Sequence, residues 1–169
     1  TLFTDGIEKV VPPAKGTRHV LRVIRELLYC EPIGRGTDIA ATLDHINRTA
    51  KRRSVIFLIS DFQDSDYQTP LRIARRKHDI IPIVVGDQRE TEMPNVGIVE
   101  LRDSETGEIV VFDTTSRHHR ELYQKQASLE AENRERLFRK LKMDPIYINT
   151  GEDMVDPLRR FFHKREARR

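Results

Sequence analysis

At 169 residues, with 37% hydrophobic and 34% charged side chains, the chain is long enough for one domain with a buried core and too apolar for a disordered one. It has no apolar stretch long enough to span a bilayer and no signal peptide, and its lone cysteine, Cys30, excludes a disulfide framework within the chain. A reducing, cytoplasmic setting is therefore expected.

The chain opens on Leu2-Phe3-Thr4, which reads as the end of a strand with no lead-in. Asp5-Gly6 is a hairpin turn and Ile7 to Val11 the returning strand. With no initiator methionine before it, this start is expected of a fragment or a processed product. Pro12-Pro13 closes the hairpin, and Val20, Leu21, Ile24, Leu27 and Leu28 form an apolar stripe of helical period from about Thr17 to Tyr29. A second helix is expected to begin at Thr37, with Ile39, Leu43 and Ile46 inward. Val55 to Ser60 is continuously apolar, the pattern of a central parallel strand covered on both faces. A helix from about Asp66 to His78, with Tyr67, Leu71 and Ala74 on one face, leads to a second buried strand over Ile80 to Val85. Strand, helix and strand together make a right-handed βαβ unit.

After Pro94, the segments Val96 to Leu101 and Ile109 to Phe112 flank a polar loop, Asp103 to Glu108, as in a β-hairpin. A long charged helix is predicted from about Ser116 to Leu141, anchored by Leu122, Leu129, Leu137 and Phe138. Asp144-Pro145 introduces a short strand, Ile146 to Asn149, and a helix over Asp153 to His163 carries Val155, Leu158, Phe161 and Phe162. There is no internal repeat, low-complexity tract or linker, so residues 1–169 are read as one domain. The expected fold is α/β, doubly wound, with a mostly parallel sheet and an inserted β-hairpin. The net charge is only +3, and the basic end from Phe162 to Arg169 suits a solvated helix terminus better than a nucleic-acid or membrane contact.

The chemistry concentrates at two points. The turn Gly34-Arg35-Gly36-Thr37-Asp38 puts a threonine at a helix start, and Asp61 follows the strand ending at Ser60. An open α/β fold gathers such groups at the carboxyl ends of its strands. A hydroxyl and a carboxylate are hard oxygen donors, suited to a divalent cation that stays electrophilic toward a partner's acidic side chain. Thr37 equally suits a helix N-cap, and Asp61 equally suits accepting hydrogen bonds from loop amides. Asp38 lies where the helix dipole favours it, Asp66 fits the start of the next helix, and Asp64 is a candidate outer group of the same site. The histidines lack metal-ligand spacing: His118 and His119 are adjacent, and His19, His45, His78 and His163 are scattered, as surface or partly buried residues would be. Cys30 has no nucleophile arrangement around it and reads as an inert helix-end residue.

Several separated segments carry a family resemblance. Val10-Val11-Pro12-Pro13, the helix from His19 to Leu28, the Gly34 to Asp38 turn and the run Lys51 to Phe62 resemble the C-terminal part of bacterial "domain of unknown function 58" proteins, and the likeness continues to the Phe161-Phe162 helix. The family is similar to the von Willebrand factor type A fold and is associated with AAA+ ATPases of the MoxR group. The resemblance implies a metal-ion-dependent adhesion site of three parts: an Asp-x-Ser-x-Ser loop after a first strand, a threonine and an aspartate. Thr37 matches the second part and Asp61 the third, and the first part is absent from the sequence. Thr37 and Asp61 alone are expected to hold Mg²⁺ or Mn²⁺ weakly, since such a cation takes about six oxygen ligands. The loss of the first strand is expected to leave an apolar edge unpaired beside Val55 to Ser60, filled by a neighbouring chain, by the absent segment or by rearrangement.

The function so implied is docking to a MoxR-type ATPase or to its client, without catalysis by this chain. Two other classes are weaker. A Mg²⁺-dependent hydrolase or phosphotransferase needs a nucleophile or base and a phosphate clamp, and Gly34-Arg35-Gly36-Thr37 lacks a P-loop ending. A nucleic-acid-binding module fits the isoelectric point of 9.1, but acidic residues alternate with basic ones along the helices.

Overall fold

The computed structural model describes residues 1–87, 92–102 and 107–167. In chain order the elements are β1 (Leu2–Phe3), β2 (Ile7–Lys9), α1 (Thr17–Tyr29), α2 (Ile39–Thr49), β3 (Val55–Ser60), α3 (Gln68–Lys77), β4 (Asp79–Gly86), β5 (Ile98–Arg102), β6 (Ile109–Asp113), α4 (Arg117–Lys140), β7 (Ile146–Asn149) and α5 (Val155–Glu166). Three small sheets result: a β1-β2 hairpin, a parallel sheet in the order β3-β4-β7, and a β5-β6 hairpin. The parallel sheet joins β3 to β4 through α3, with Val55 opposite Asp79 and Ser60 opposite Val84; β7 pairs with the far side of β4 from Ile83 to Gly86.

Strand β4 is the one covered on both faces, because side chains alternate across a strand. Ile80 and Val84 enter a core with Ile39 and Leu43 of α2, Leu58 of β3, Leu71 and Ala74 of α3, and Phe62, Tyr67, Phe138 and Met143. Ile81 and Ile83 face the other way, against Ile146, Ile148, Leu158 and Phe161. The sheet is thus a layer between α2, α3 and the end of α4 on one side and α5 on the other.

The unpaired apolar edge expected beside Val55 to Ser60 is present, so strand β3 is not the central strand covered on both faces that its apolar run suggests. It lies at the edge of its sheet, paired with β4 alone among the described residues, and Val55, Phe57 and Ile59 are 56%, 43% and 58% exposed. A continuous apolar run records the chemistry of both faces but not the number of neighbours, so a central and an edge strand look alike in sequence. The same holds for α1. Its span matches the apolar stripe, yet it buries no residue, and Val20, Leu21, Leu27 and Leu28 are exposed. What ties α1 to the rest is polar: Glu26 meets Lys9 of β2 at 2.5 Å.

Other boundaries shift by local chemistry. The second strand of the first hairpin ends at Lys9, earlier than Val11. The helix expected from Thr37 starts at Ile39, capped by Asp38, whose Oδ1 accepts from the Ala41 amide at 2.7 Å. Asp66 does not start a helix: its φ is +63°, and α3 begins at Gln68. In α4, capped by Ser116, Leu122 and Leu129 remain exposed, and the anchoring falls to Leu137 and Phe138 near its end. In α5, Val155 and Phe162 are exposed while Leu158 and Phe161 pack. The β5-β6 hairpin forms as expected, with Phe112 against His119 and Tyr123 of α4. Residues Asp103 to Thr106 of its loop and Arg168-Arg169 of the basic end lie outside the described residues. Among the described residues no helix is long and apolar enough to cross a membrane.

His78, expected at or near the surface, is buried beneath the start of β3, where its Nδ1 accepts from the Ser54 amide at 3.3 Å. Burial, with a smaller contribution from Lys77, holds its pKa below the ordinary 6.5. A depressed histidine pKa favours the fold above the unfolded value and disfavours it below. Stability measured by urea unfolding is therefore expected to fall as pH drops below about 6.5, and His78→Gln, which keeps an acceptor without titrating, is expected to flatten that decline. The carboxylates with lowered pKa, Glu8, Glu26 and Asp113, lose their contributions at lower pH and do not share this window.

Candidate functional site

Parallel pairing sends the ends of β3, β4 and β7 to one edge of the sheet, and the turn before α2 arrives at the same edge. The link is specific: Asp64, in the loop after β3, accepts the Ile39 amide at 2.8 Å through Oδ2. This satisfies one of the orphan amides of the first turn of α2 and joins the Thr37 turn to the Asp61 loop. Asp61 itself follows the last residue of β3. Its Oδ1 accepts from the Gln63 amide at 3.1 Å and from Ser60 Oγ at 3.3 Å, and its backbone carbonyl accepts from Arg134 of α4 at 3.4 Å.

Next to Asp61, Phe62 has φ +60°, a left-handed conformation that costs energy for a bulky side chain. Its buried ring holds it there, edge-on to Phe138 at 5.3 Å and tilted on Tyr67 at 5.8 Å. The consequence is a sharp reversal that turns Asp61 to the rim while Phe62 enters the core.

The other wall is the first hairpin. Glu8 accepts from Thr4 Oγ1 at 2.6 Å, the Gly34 amide at 2.8 Å and the Ile33 amide at 3.1 Å, and these three donors, Thr4 first, hold its pKa below the ordinary carboxylate value. The Asp38 amide bonds the Thr4 carbonyl at 2.8 Å. A Cβ at position 34 would displace the Asp5 carboxylate and the Thr4 hydroxyl, so glycine lets the turn approach the hairpin closely. The Gly34-Arg35-Gly36 run is therefore a close-packed seam between turn and hairpin.

Thr37 and Asp61 are thus on neighbouring loops of one edge, but no hydrogen bond joins them, and among the described residues no three His, Cys, Asp or Glu side chains come together as a metal centre. Asp38 and Asp64 are largely spent on amides: Asp38 Oδ1 caps α2, and Asp64 uses Oδ1 for Ser65 and Oδ2 for Ile39. The cap role weighed for Thr37 belongs to Asp38. The donors left over, the Thr37 hydroxyl and one oxygen each of Asp61 and Asp38, fall short of a complete shell for a hard cation.

Two clefts open on this edge. One, of 440 Å³, lies between the strand ends and α4 and is lined by Asp61, Gly86, Glu130, Arg134, Tyr147 and Asn149. The other, of 550 Å³, lies between the Phe62 to Gln68 loop and α4. Arg134 lines both, and its Nε is buried without a partner among the described residues. Sequence reasoning missed Glu8 and Arg134, since the bonds that bring them to this edge, from Ile33 and Gly34 to Glu8 and from Arg134 to Asp61, span 25 to 73 residues and no local pattern marks them.

Residues 1–134 match the family model described as "Protein of unknown function DUF58". The chain belongs to this family. It is 30% identical to the uncharacterized protein MAV169 of Mycobacterium avium over 158 residues, covering 90% of this chain and 92% of that protein. It is 33% identical over 105 residues to the uncharacterized proteins Mb1516 of Mycobacterium bovis and Rv1480 of Mycobacterium tuberculosis, covering 60% of this chain but only 33% of each of those longer proteins. No solved structure matches.

The division of labour between Asp38 and Thr37 is measurable. Asp38→Ala removes the α2 cap and is expected to cost about 0.5–2 kcal/mol in denaturant unfolding, whereas Thr37→Ala is expected to stay within about 0.5 kcal/mol.

Proposed function

We propose that the DUF58 chain is a protein-interaction module, and that the edge bearing Thr37 and Asp61 is its docking surface. The observation that supports this is the Asp64 to Ile39 bridge, which holds two oxygen-bearing loops in register at the carboxyl ends of parallel strands. The surrounding chemistry suits binding: Asp38, Asp61 and Asp64 all accept loop or helix amides, and the Ser60 hydroxyl, which bonds Asp61 Oδ1, is held in the same turn by donation from the Phe62 amide. In this reading Thr37 and the free oxygen of Asp61 contribute to a Mg²⁺ or Mn²⁺ site whose remaining oxygens come from water, from a partner's carboxylate or from a further segment of a longer polypeptide. The partner is a MoxR-type AAA+ ATPase or its client, as the family resemblance implies, and nucleotide hydrolysis belongs to the ATPase. The parallel sheet with helices on both faces is read as part of a von Willebrand factor A-like domain, with β5-β6 as an inserted hairpin.

The reading is tested by calorimetric titration of the chain with a MoxR-type ATPase in Mg²⁺ and after its removal by chelation. Binding is expected to require the metal and to weaken by about tenfold or more in Asp61→Ala, a loss of at least about 1.4 kcal/mol. Binding unchanged by chelation and by both Thr37→Ala and Asp61→Ala overturns the reading.

A further inference from the structure

At the β7 side of the sheet, a cleft of 510 Å³ opens between the end of α4, the start of β7 and α5. A smaller one of 210 Å³ adjoins it at the start of β4, and the two share Met143, Asp144, Phe161 and Lys164. Strands β4 and β7 line them, and β3 does not. The floor is apolar: Phe138, Met143 and Ile146 are buried and Phe161 is half-buried. The rim is cationic. Its carboxylates are already in use, since Glu135 accepts from the Tyr147 hydroxyl at 2.7 Å and meets Arg139 at 3.6 Å, Asp79 pairs with Arg165 and, at 3.9 Å, with Arg75, and Asp144 is engaged as well. Lys142, Arg160 and Lys164 are exposed and have no ion-pair partner among the described residues. Arg160 and Lys164 are one turn apart on α5, beside Phe161. Lys142 stands in the turn after α4 with φ +52°, where its amide bonds the Arg139 carbonyl at 3.1 Å and the next amide, of Met143, bonds that of Phe138 at 2.9 Å. Glycine adopts this left-handed conformation at lower cost, so the lysine is there against the backbone preference.

We infer that this cleft is a second docking site, and that its occupant is an acidic segment of a partner polypeptide. A large apolar side chain of that segment lies on the floor, and carboxylates on either side of it meet Arg160 and Lys164 of α5 on one wall and Lys142 of the turn after α4 on the other. Charge complementarity selects the occupant: three unpaired cations surround an apolar floor, and an acidic peptide with one apolar anchor supplies both kinds of partner. The volume is that of a pocket for one compact group and not of a groove that follows a nucleic-acid backbone. Glu135, Asp79 and Asp144 also interrupt the positive surface, which opposes a continuous run of phosphates. The site uses neither Thr37 nor Asp61, so it requires no divalent cation.

The test is fluorescence anisotropy of the chain with a labelled peptide that has two glutamates on each side of a phenylalanine, measured in chelator. Saturable binding is expected, weakening as salt is added. Replacing the glutamates by glutamines, or the phenylalanine by alanine, is expected to weaken it by about tenfold or more, as is Arg160→Glu combined with Lys164→Glu. Lys142→Gly removes a cation and relieves the left-handed backbone, so it is expected to weaken binding by about two- to fivefold while urea unfolding shows a chain no less stable than the parent. That pairing of results excludes unfolding as the cause. Absence of saturable binding, equal binding of the glutamine peptide, or an affinity that none of these chain variants moves overturns the inference, as does a single-stranded oligonucleotide that binds more tightly than the peptide and displaces it. Binding that survives chelation and Asp61→Ala is expected and separates this site from the proposed metal-dependent docking. Binding that needs the metal or the Asp61 carboxylate assigns the peptide to the other edge and overturns the inference.

Discussion

Strand β4 hydrogen-bonds to a parallel neighbour on each side and buries side chains on both of its faces. Everything else in the molecule is arranged around that fact. Parallel pairing forces the chain to return to the starting end of the sheet between strands, so α3 must cross one face and the carboxyl ends of β3, β4 and β7 must meet at one edge. This strand contributes to both halves of the core, the one under α2 and α3 and the one under α5. A loop leaving such an edge has backbone amides with no strand to pair with, and those amides are what Asp61, Asp64 and Asp38 satisfy.

That use of carboxylates sets the chemistry of the edge. A carboxylate that accepts two amides fixes a loop firmly, as Asp64 does, but has fewer lone pairs to offer a cation. The edge is accordingly modest as a metal site, with Thr37 and one oxygen each of Asp61 and Asp38 uncommitted. Arg134 adds a fixed positive group from α4, and the Phe62 backbone stores strain beside Asp61, held by ring packing with Phe138 and Tyr67. Glu8 contributes from the opposite wall, binding the turn before α2 to the hairpin through three donors.

Apolar surface is distributed unevenly for a molecule with so ordered a centre. The stripe of α1, the open face of β3 and the outer residues of β5 and β6 are exposed together with Phe162. Contiguous apolar faces beside an unpaired strand edge are characteristic of surfaces that meet another polypeptide. Helix α1 meets β2 through the Glu26–Lys9 ion pair, while its apolar stripe is exposed.

Local pattern determined most of the elements. The 3.6-residue period set α1 and α4, the apolar runs set β3, β4 and β7, and turn residues marked both hairpins, because each of these signals is carried by neighbours in sequence. The positions of Thr37 and Asp61 at one edge were also legible, since alternating strands and helices imply a shared ligand edge. What the chain alone left open was every property that depends on partners distant in sequence. Asp38 outcompetes Thr37 as the cap because Asp38 reaches the Ala41 amide while its own amide is drawn to Thr4. Asp64 is tied to α2 and His78 lies under β3, across 25 and 24 residues respectively. Whether an apolar side chain is buried was decided by tertiary structure alone: hydrophobicity fixes the tendency to leave water, but only the presence of a neighbouring surface allows it, and β4 has such neighbours on both sides where β3 and α1 do not.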